Sequence, residues 1–291
     1  MKKLRGRLIF ALLLLCAWTL AGALAHEHKG RGAPTAQLPF GPSEELVYEG
    51  EISKSLLRGI TIAELRFTAS RTGEDSVTRP GEGSSSRAAR LRFTAETVTK
   101  GLFRKLFGLR FRQRVESTVD PSSFTVIQTT KLDEQGDKRR TSEAVFDKTA
   151  GKVVWTERDP NNPAGEPRTI TSQFSGQVQD IASVFYFLRT QTLVPGKSFE
   201  ILVSDSGRIY RLPVTVMEKK RMKTVLGEVS TVRVDPQMFG DGRLVRGKGQ
   251  VSIWFTDDAR HVPVQARVSS DMGTLNIKLK KMSNGAQVTA H

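Results

Sequence analysis

The stretch VQDIASVFYFLRTQTLVPG, residues 178–196, decides the fold, because it is the segment that breaks a two-residue rhythm running through most of the chain. Asp180 stands where an N-cap accepts backbone N–H groups. Ile181, Val184, Phe185 and Leu188 recur at helical spacing, and Pro195-Gly196 ends the segment. Tyr186 and Phe187 occupy the other side, so this helix is apolar nearly all round. A helix of that kind outside a membrane is buried. The remaining chain must therefore enclose it, with Ile181, Val184, Phe185 and Leu188 as the inward stripe.

Working outward, what surrounds the helix reads as strand. In AELRFTA, Ala63, Leu65, Phe67 and Ala69 share one face and Glu64, Arg66 and Thr68 the other. In FRQRVESTV, Phe111, Val115 and Val119 oppose Arg112, Arg114, Glu116 and Thr118. Such alternation places one face of a strand on a core and the other in water. The same pattern recurs in RLRFTAETV, FTVIQTTKL, GRIYRLPVTV, GQVSIWF, VPVQARV and GTLNIKL. Turn chemistry separates these runs at Asp120-Pro121, Gln135-Gly136, Ala150-Gly151 and Ser206-Gly207. The expected fold is mainly β: a curved antiparallel sheet or half-barrel wrapped around one buried helix. A chain of 291 residues can build this as one large domain or two smaller lobes.

Three polar or basic stretches interrupt the rhythm. RTGEDSVTRPGEGSSSR (Arg71 to Arg87) and ERDPNNPAGEPR (Glu157 to Arg168) read as loops. In TKGLFRKLFGLRF, Leu102, Phe103, Leu106 and Phe107 alternate with Lys100, Arg104 and Lys105. That run is either an irregular turn with its apolar side on the core or a basic patch for anionic lipid.

The N-terminus speaks to compartment. Lys2, Lys3, Arg5 and Arg7 precede the apolar run LIFALLLLCAWTLAGALA, which closes on Ala23-Leu24-Ala25 in the small-x-small pattern of a cleaved secretory signal. Residues 1–25 are expected to be a signal peptide, 26–44 a flexible tether, 45–282 the β-rich domain and 283–291 a tail. Cys16 is the one cysteine, and Leu15 before it is too large for the usual lipidation site. The exported domain is thus built without disulfides and rests on its core. The chain carries a formal net charge of +15 and remains strongly basic without its first 25 residues.

A second stretch, IWFTDDARHVPVQARV (Ile253 to Val268), tests for chemistry. Asp257, Asp258 and His261 lie close together there, and carboxylates beside an imidazole are the material of acid/base and metal sites. Alternation runs up to Thr256 and resumes after His261, so TDDAR is a hairpin turn, with Asp serving turn geometry. The remaining histidines are His26, His28 and His291, and no G-x-S-x-G occurs. Serine-triad and zinc chemistry are therefore starved, and neither enzyme activity nor cofactor is expected. A terminus beginning His26-Glu27-His28 would present an α-amine, two backbone nitrogens and the His28 imidazole in a plane that suits Cu(II) or Ni(II).

The run QDIASVFYFLRTQTLVPGKSFEILVSDSGRIYRLPVTV, then GEVSTVRVDP, then GQVSIWFTDDARHVPVQARVSSDMGTLNIKL, resembles exported bacterial proteins of domain of unknown function 3108. The positions that carry the likeness are Asp180, Pro195, Gly196, Tyr210, Pro236, Trp254, Asp257, Asp258, Arg260, Pro263 and Gly273. The resemblance spans roughly Glu45 to Lys281 and implies a curved sheet around a helix, like the half-barrels of periplasmic lipoprotein carriers, with no assigned enzyme activity. Arg260 next to Asp257 is read as an ion pair that locks the turn, and the resemblance does not make it a site.

Two functions fit this reading. In the first, a groove between sheet and helix, lined by Phe185, Leu188, Trp155 and Trp254, takes a lipid or other apolar molecule; the plain alternative is that these four are core. In the second, an envelope scaffold or assembly factor in the periplasm uses basic faces and sheet edges on protein, glycan or anionic membrane. A continuous apolar cavity beside the helix separates the first from the second. Export, and the absence of a basic-aromatic stacking motif, set nucleic acid aside as a partner.

Overall fold

The computed structural model describes residues 38–54, 57–72, 89–100, 110–271 and 273–284. The signal segment, Cys16, His26, His28, the insert from residue 73 to 87, the centre of the basic stretch at 101–109 and the tail from 285 on lie outside the described residues. The first half of the chain forms β1 (Ser43–Lys54), β2 (Leu57–Thr72), β3 (Arg90–Thr99), β4 (Phe111–Asp120), β5 (Thr125–Gln135), β6 (Lys138–Asp147), β7 (Lys152–Arg158) and β8 (Arg168–Gln173). A short β9 (Val178–Asp180) leads into α1 (Ser183–Arg189). The second half adds β10 (Ser198–Asp205), β11 (Arg208–Thr224), β12 (Gly227–Pro236), β13 (Gly249–Thr256), β14 (Pro263–Ser270) and β15 (Gly273–Asn284).

All fifteen strands belong to one sheet, in the order β8-β7-β6-β5-β4-β3-β2-β1-β15-β14-β13-β12-β11-β10-β9. Two meanders, β1 to β8 and β9 to β15, are thus joined where β1 pairs with β15, with Leu46 opposite Met282 and Ile52 opposite Leu275. Every ladder is antiparallel except the parallel pair β9–β10. The expected curved sheet around one helix is what the described residues form. The four expected turns also stand where alternation stops, with Gly136, Gly151 and Gly207 all at positive φ.

Alternation sorts the two faces. Along β4, Phe111, Gln113, Val115, Ser117 and Val119 are buried, and Arg112, Arg114, Glu116 and Thr118 between them are more open. The outer face carries cross-strand ion pairs such as Glu45–Arg66 at 2.7 Å and Glu96–Arg112 at 2.8 Å. Such pairs contribute little stability singly and mainly mark the register. Inside lie two apolar clusters. One gathers Leu46, Phe67, Phe93, Val115 and Trp155 around Tyr186; the other gathers Val203, Val214, Val232 and Phe255 around Leu188. α1 sits between them and serves both.

The sheet curls until its ends nearly meet but leaves them unpaired. The β10–β11 turn abuts β7 and β8: Ser172 Oγ donates to Gly207 O at 2.7 Å. A Cβ on Gly207 would fall 2.8 Å from Trp155 Cβ and 2.9 Å from Ile170 Cβ. Its φ of 75° is also in the left-handed region. Gly207→Ala is therefore expected to cost about 1–3 kcal/mol in a denaturant melt, the range for enforced backbone strain. A loss below about 0.5 kcal/mol, the range of ordinary surface sites, would mean that the turn does not bear on β7 and β8.

Candidate functional site

α1 is tethered at both ends by buried charge. At its start, Asp180 Oδ1 accepts the Ala182 N–H at 3.0 Å and the Ser183 N–H at 2.7 Å. Its Oδ2 accepts the Ser117 hydroxyl at 2.5 Å and the Thr129 hydroxyl. Ser183 Oγ accepts the Asp180 N–H at 2.9 Å, closing a reciprocal cap. Asp180 holds the turn that leads into α1, while the helix itself begins at Ser183 behind Ala182, two residues later than the spacing implied. One carboxylate thus closes the helix terminus and binds it to β4 and β5.

At the other end stands Arg189, 1% exposed. Its guanidinium donates to Glu44 Oε1 at 2.5 Å and Oε2 at 3.1 Å, to Pro39 O at 2.9 Å and to Arg260 O at 3.0 Å. It lies 5.5 Å from the Phe40 ring centroid and 5.6 Å from that of Tyr186. A bidentate carboxylate, two carbonyls and two aromatic faces replace the water that a buried cation loses. Asp180 at the N-terminus and Arg189 at the C-terminus also match the helix dipole in sign. The end of the expected tether is corrected here, because Glu44 is a buried residue of β1, and Leu38 and Phe40 pack on the core.

The inward stripe is corrected as well. Tyr186, read as the far side, is fully buried, whereas Val184 and Phe185 are only partly so. Tyr186 stacks on Phe93 at 4.3 Å, and Phe185 on Phe67 at 4.0 Å. A helix enclosed on all sides has no single inward face, so apolar spacing cannot choose one.

The 256–262 segment is a turn in the service of Arg189. Asp258 accepts from the Thr256 hydroxyl at 2.7 Å, the Arg260 N–H at 3.1 Å and the Arg260 guanidinium at 2.8 Å. Burial pushes its carboxyl up, but those hydrogen bonds and the Arg260 charge outweigh this and hold it below the ordinary aspartate value. The expected Asp257–Arg260 pair is corrected: Arg260 pairs with Asp258, and Asp257 pairs with Lys219 at 2.8 Å. His261, at φ 42°, precedes rather than begins β14, and its Nδ1 lies 2.9 Å from Arg189 O. A carbonyl accepts only, so Nδ1 carries the proton. His261 and Asp258 hold backbone groups of Arg189 and Arg260, and Asp257 is engaged by Lys219 and the Ser230 hydroxyl, an arrangement suited to rigidity.

Of the four residues expected to line a groove, Trp155 and Trp254 belong to one apolar cluster, against which Phe185 packs. Phe185 lies against Phe67 and Tyr48, and Leu188 belongs to the other apolar cluster. Trp155 faces inward on β7. Trp254 pairs with Arg233 and Gln265 on the opposite face from Phe255 and Ile253, with the Arg267 guanidinium 5.8 Å from its ring. A cavity of about 30 Å³ does lie beside Trp155, between Asp180, Lys131, Ser204 and Asp205. It is the size of about one water, and its wall mixes these polar groups with Val115, Ala144, Phe146 and Ile181. A larger hollow of about 500 Å³ opens on the outer face of β4 to β7, between Arg114, Leu132, Thr141, Thr156 and Arg158.

The residues that sequence reasoning missed are Glu44, Tyr48, Tyr186 and Arg189. Tyr48 donates to Pro263 O at 2.7 Å, tying β1 to the start of β14. The Tyr186 hydroxyl is buried and has no hydrogen-bond partner among the described residues. Burial raises both phenols well above their ordinary value. Sequence offered one signal only: an arginine inside an otherwise apolar helix must find a buried anion.

Comparison with known proteins places this architecture. The family described as "Protein of unknown function (DUF3108)" matches residues 61–280. No curated protein matches. Among solved structures, a beta-barrel-like protein of domain of unknown function DUF1849 from Brucella abortus aligns with a TM-score of 0.52 at 12% identity, over 85% of this chain and 100% of that one. A protein described provisionally as a lipoprotein from Parabacteroides distasonis aligns with a TM-score of 0.30 at 8% identity, over 84% and 98%. The first likeness concerns the fold alone, and the second carries no argument.

Removing one partner of the buried pair leaves a charge without compensation, so Glu44→Gln is expected to cost about 3–5 kcal/mol in chemical denaturation. A loss near 1 kcal/mol would mean that water reaches Arg189. The two tyrosines should separate. Tyr48→Phe loses a buried hydrogen bond and costs about 1–2 kcal/mol, while Tyr186→Phe stays within about 0.5 kcal/mol or stabilises. Because both folded phenols are raised, they lower stability only as pH rises above the unfolded value of 10.0. The Tyr48→Phe, Tyr186→Phe double variant should therefore lose less stability than the parent protein on going to strong alkali, and an equal loss would contradict the assignment.

Proposed function

The chain belongs to the DUF3108 family of proteins of unknown function, and on that footing we propose that it is a non-catalytic binding protein of the cell envelope, engaging a macromolecular partner with its outer surface and sheet edges. The observation that carries this reading is the filled interior. Where a carrier of apolar molecules would keep a groove, α1 stacks Phe185 on Phe67 and Tyr186 on Phe93. The cavity beside Trp155 has room for about one water. Of the residues expected to line a lipid groove, Trp155 and Trp254 are buried in one apolar cluster with Phe185 packed on it, and Leu188 is buried in the other.

What remains available is outside. The hollow across β4 to β7 is about 500 Å³, and Arg158 at its rim has no ion-pair partner among the described residues. The strongly basic sequence and the cleavable signal pattern support export to a compartment with anionic and peptide surfaces. Catalysis draws no support from the 256–262 turn, whose acidic and imidazole groups are spent on turn backbone and on the Lys219 ion pair.

Native mass spectrometry of the protein purified from its own envelope tests the reading. The expected spectrum contains a protein partner, with the monomer otherwise free of lipid. Repeated stoichiometric lipid adducts, lost in a Phe185→Trp variant that adds bulk beside α1, would overturn the proposal in favour of a carrier.

A further inference from the structure

The two ends of the sheet differ in what they expose. At one end, β9 is buried at Val178, Gln179 and Asp180. At the other, β8 pairs with β7 and, among the described residues, with no further strand. The β7–β8 register places Lys152 opposite Gln173 and Trp155 opposite Ile170. One step beyond, the Phe174 N–H donates to Gly151 O at 2.8 Å. Antiparallel ladders alternate, so Ser172, Ile170 and Arg168 also turn their backbone groups toward β7. The N–H and C=O groups of Thr169, Thr171 and Gln173 then point away from the sheet, and these residues are exposed.

Edges of this kind are normally blunted by lysine, proline, a bulge or an inward charge. Residues 169–173 read TITSQ, with none of these and with β-branched residues in register. The turn that abuts β8 through Gly207 continues into Arg208, whose Nε is buried with no hydrogen-bond partner among the described residues. Asp205, opposite Arg208 in the β10–β11 ladder, lies instead 3.7 Å from Lys131. Arg168 adds a second cation at the start of the strand, stacked over Trp155 at 5.7 Å.

We infer that β8 is a docking edge for an extended peptide segment of a partner protein, which adds as a further strand and presents a carboxylate side chain to Arg208. The inference rests on the partner-binding reading above and names the chemistry of that partner. The added strand takes its affinity from main-chain hydrogen bonds to Thr169, Thr171 and Gln173 and its selectivity from charge.

The probe is an acetylated, amidated heptapeptide, Thr-Val-Thr-Glu-Thr-Val-Thr, beside a counterpart with lysine in place of glutamate, added to the full chain. Amide exchange followed by NMR should slow about tenfold or more at Thr169, Thr171 and Gln173 with the acidic peptide. The lysine peptide should bind about tenfold more weakly, a difference of about 1.4 kcal/mol. Thr171→Pro removes an N–H that β7 does not use, so it should abolish protection while the melting midpoint holds. If that variant melts early, Arg208→Gln decides: protection persists but the preference for the acidic peptide disappears. Protection elsewhere, equal binding of the two peptides, or undiminished binding by a folded Thr171→Pro protein would overturn the inference. So would concentration-dependent dimers lost in that variant, which would give the edge to a second copy of this chain. A partner that co-purifies equally with Thr171→Pro would sink the edge alone, whereas lipid in place of any partner would sink the broader reading.

Discussion

The fold depends on one buried ion pair, Arg189 with Glu44. Moving either charge out of water costs several kcal/mol, and attraction alone does not offset that cost without further hydrogen bonds. Here the geometry supplies them: both carboxylate oxygens, the carbonyls of Pro39 and Arg260, and the rings of Phe40 and Tyr186 surround the guanidinium. Three distant parts of the chain meet at one side chain. The first strand, the end of the helix and the β13–β14 turn cannot shift independently, because each would leave a buried charge unmatched.

Asp180 performs the matching task at the other end of α1, where its carboxylate joins the helix start to Ser117 and Thr129. A helix of seven residues is too short to be stable by itself. Its persistence follows from being clamped at both termini and packed on its flanks. The same clamping explains why the interior is closed: with both ends fixed, the aromatic side chains of α1 settle into stacked contacts with β2 and β3 in place of a hollow.

A sheet that curls around a clamped helix still has two edges unless it closes fully. The chain treats them unequally. β9 is folded inside beside α1 and paired to β10, so its polar backbone is sheltered. β8 stops against the β10–β11 turn without joining it, since the close approach at Gly207 brings a turn, not a strand, to its side. The open edge is thus a consequence of how closure fails.

Much of this was legible in the chain. Period-two alternation specified the strands, because a residue that faces a core must be apolar whatever its partners are. The turn residues marked the hairpins, and the apolar helix announced its own burial. Asp257, Asp258 and His261 could be read as a turn since alternation stops and resumes around them. Glu44, Arg189 and Tyr48 could not be placed: a charged residue looks the same in sequence whether it is solvated or meets its counter-ion from 145 positions away. The buried face of α1, the assignment of Leu188 to a different apolar cluster from Trp155 and Trp254, and the exposure of Thr169, Thr171 and Gln173 were likewise settled by tertiary structure alone, because each depends on which strands neighbour one another and where the curling sheet stops.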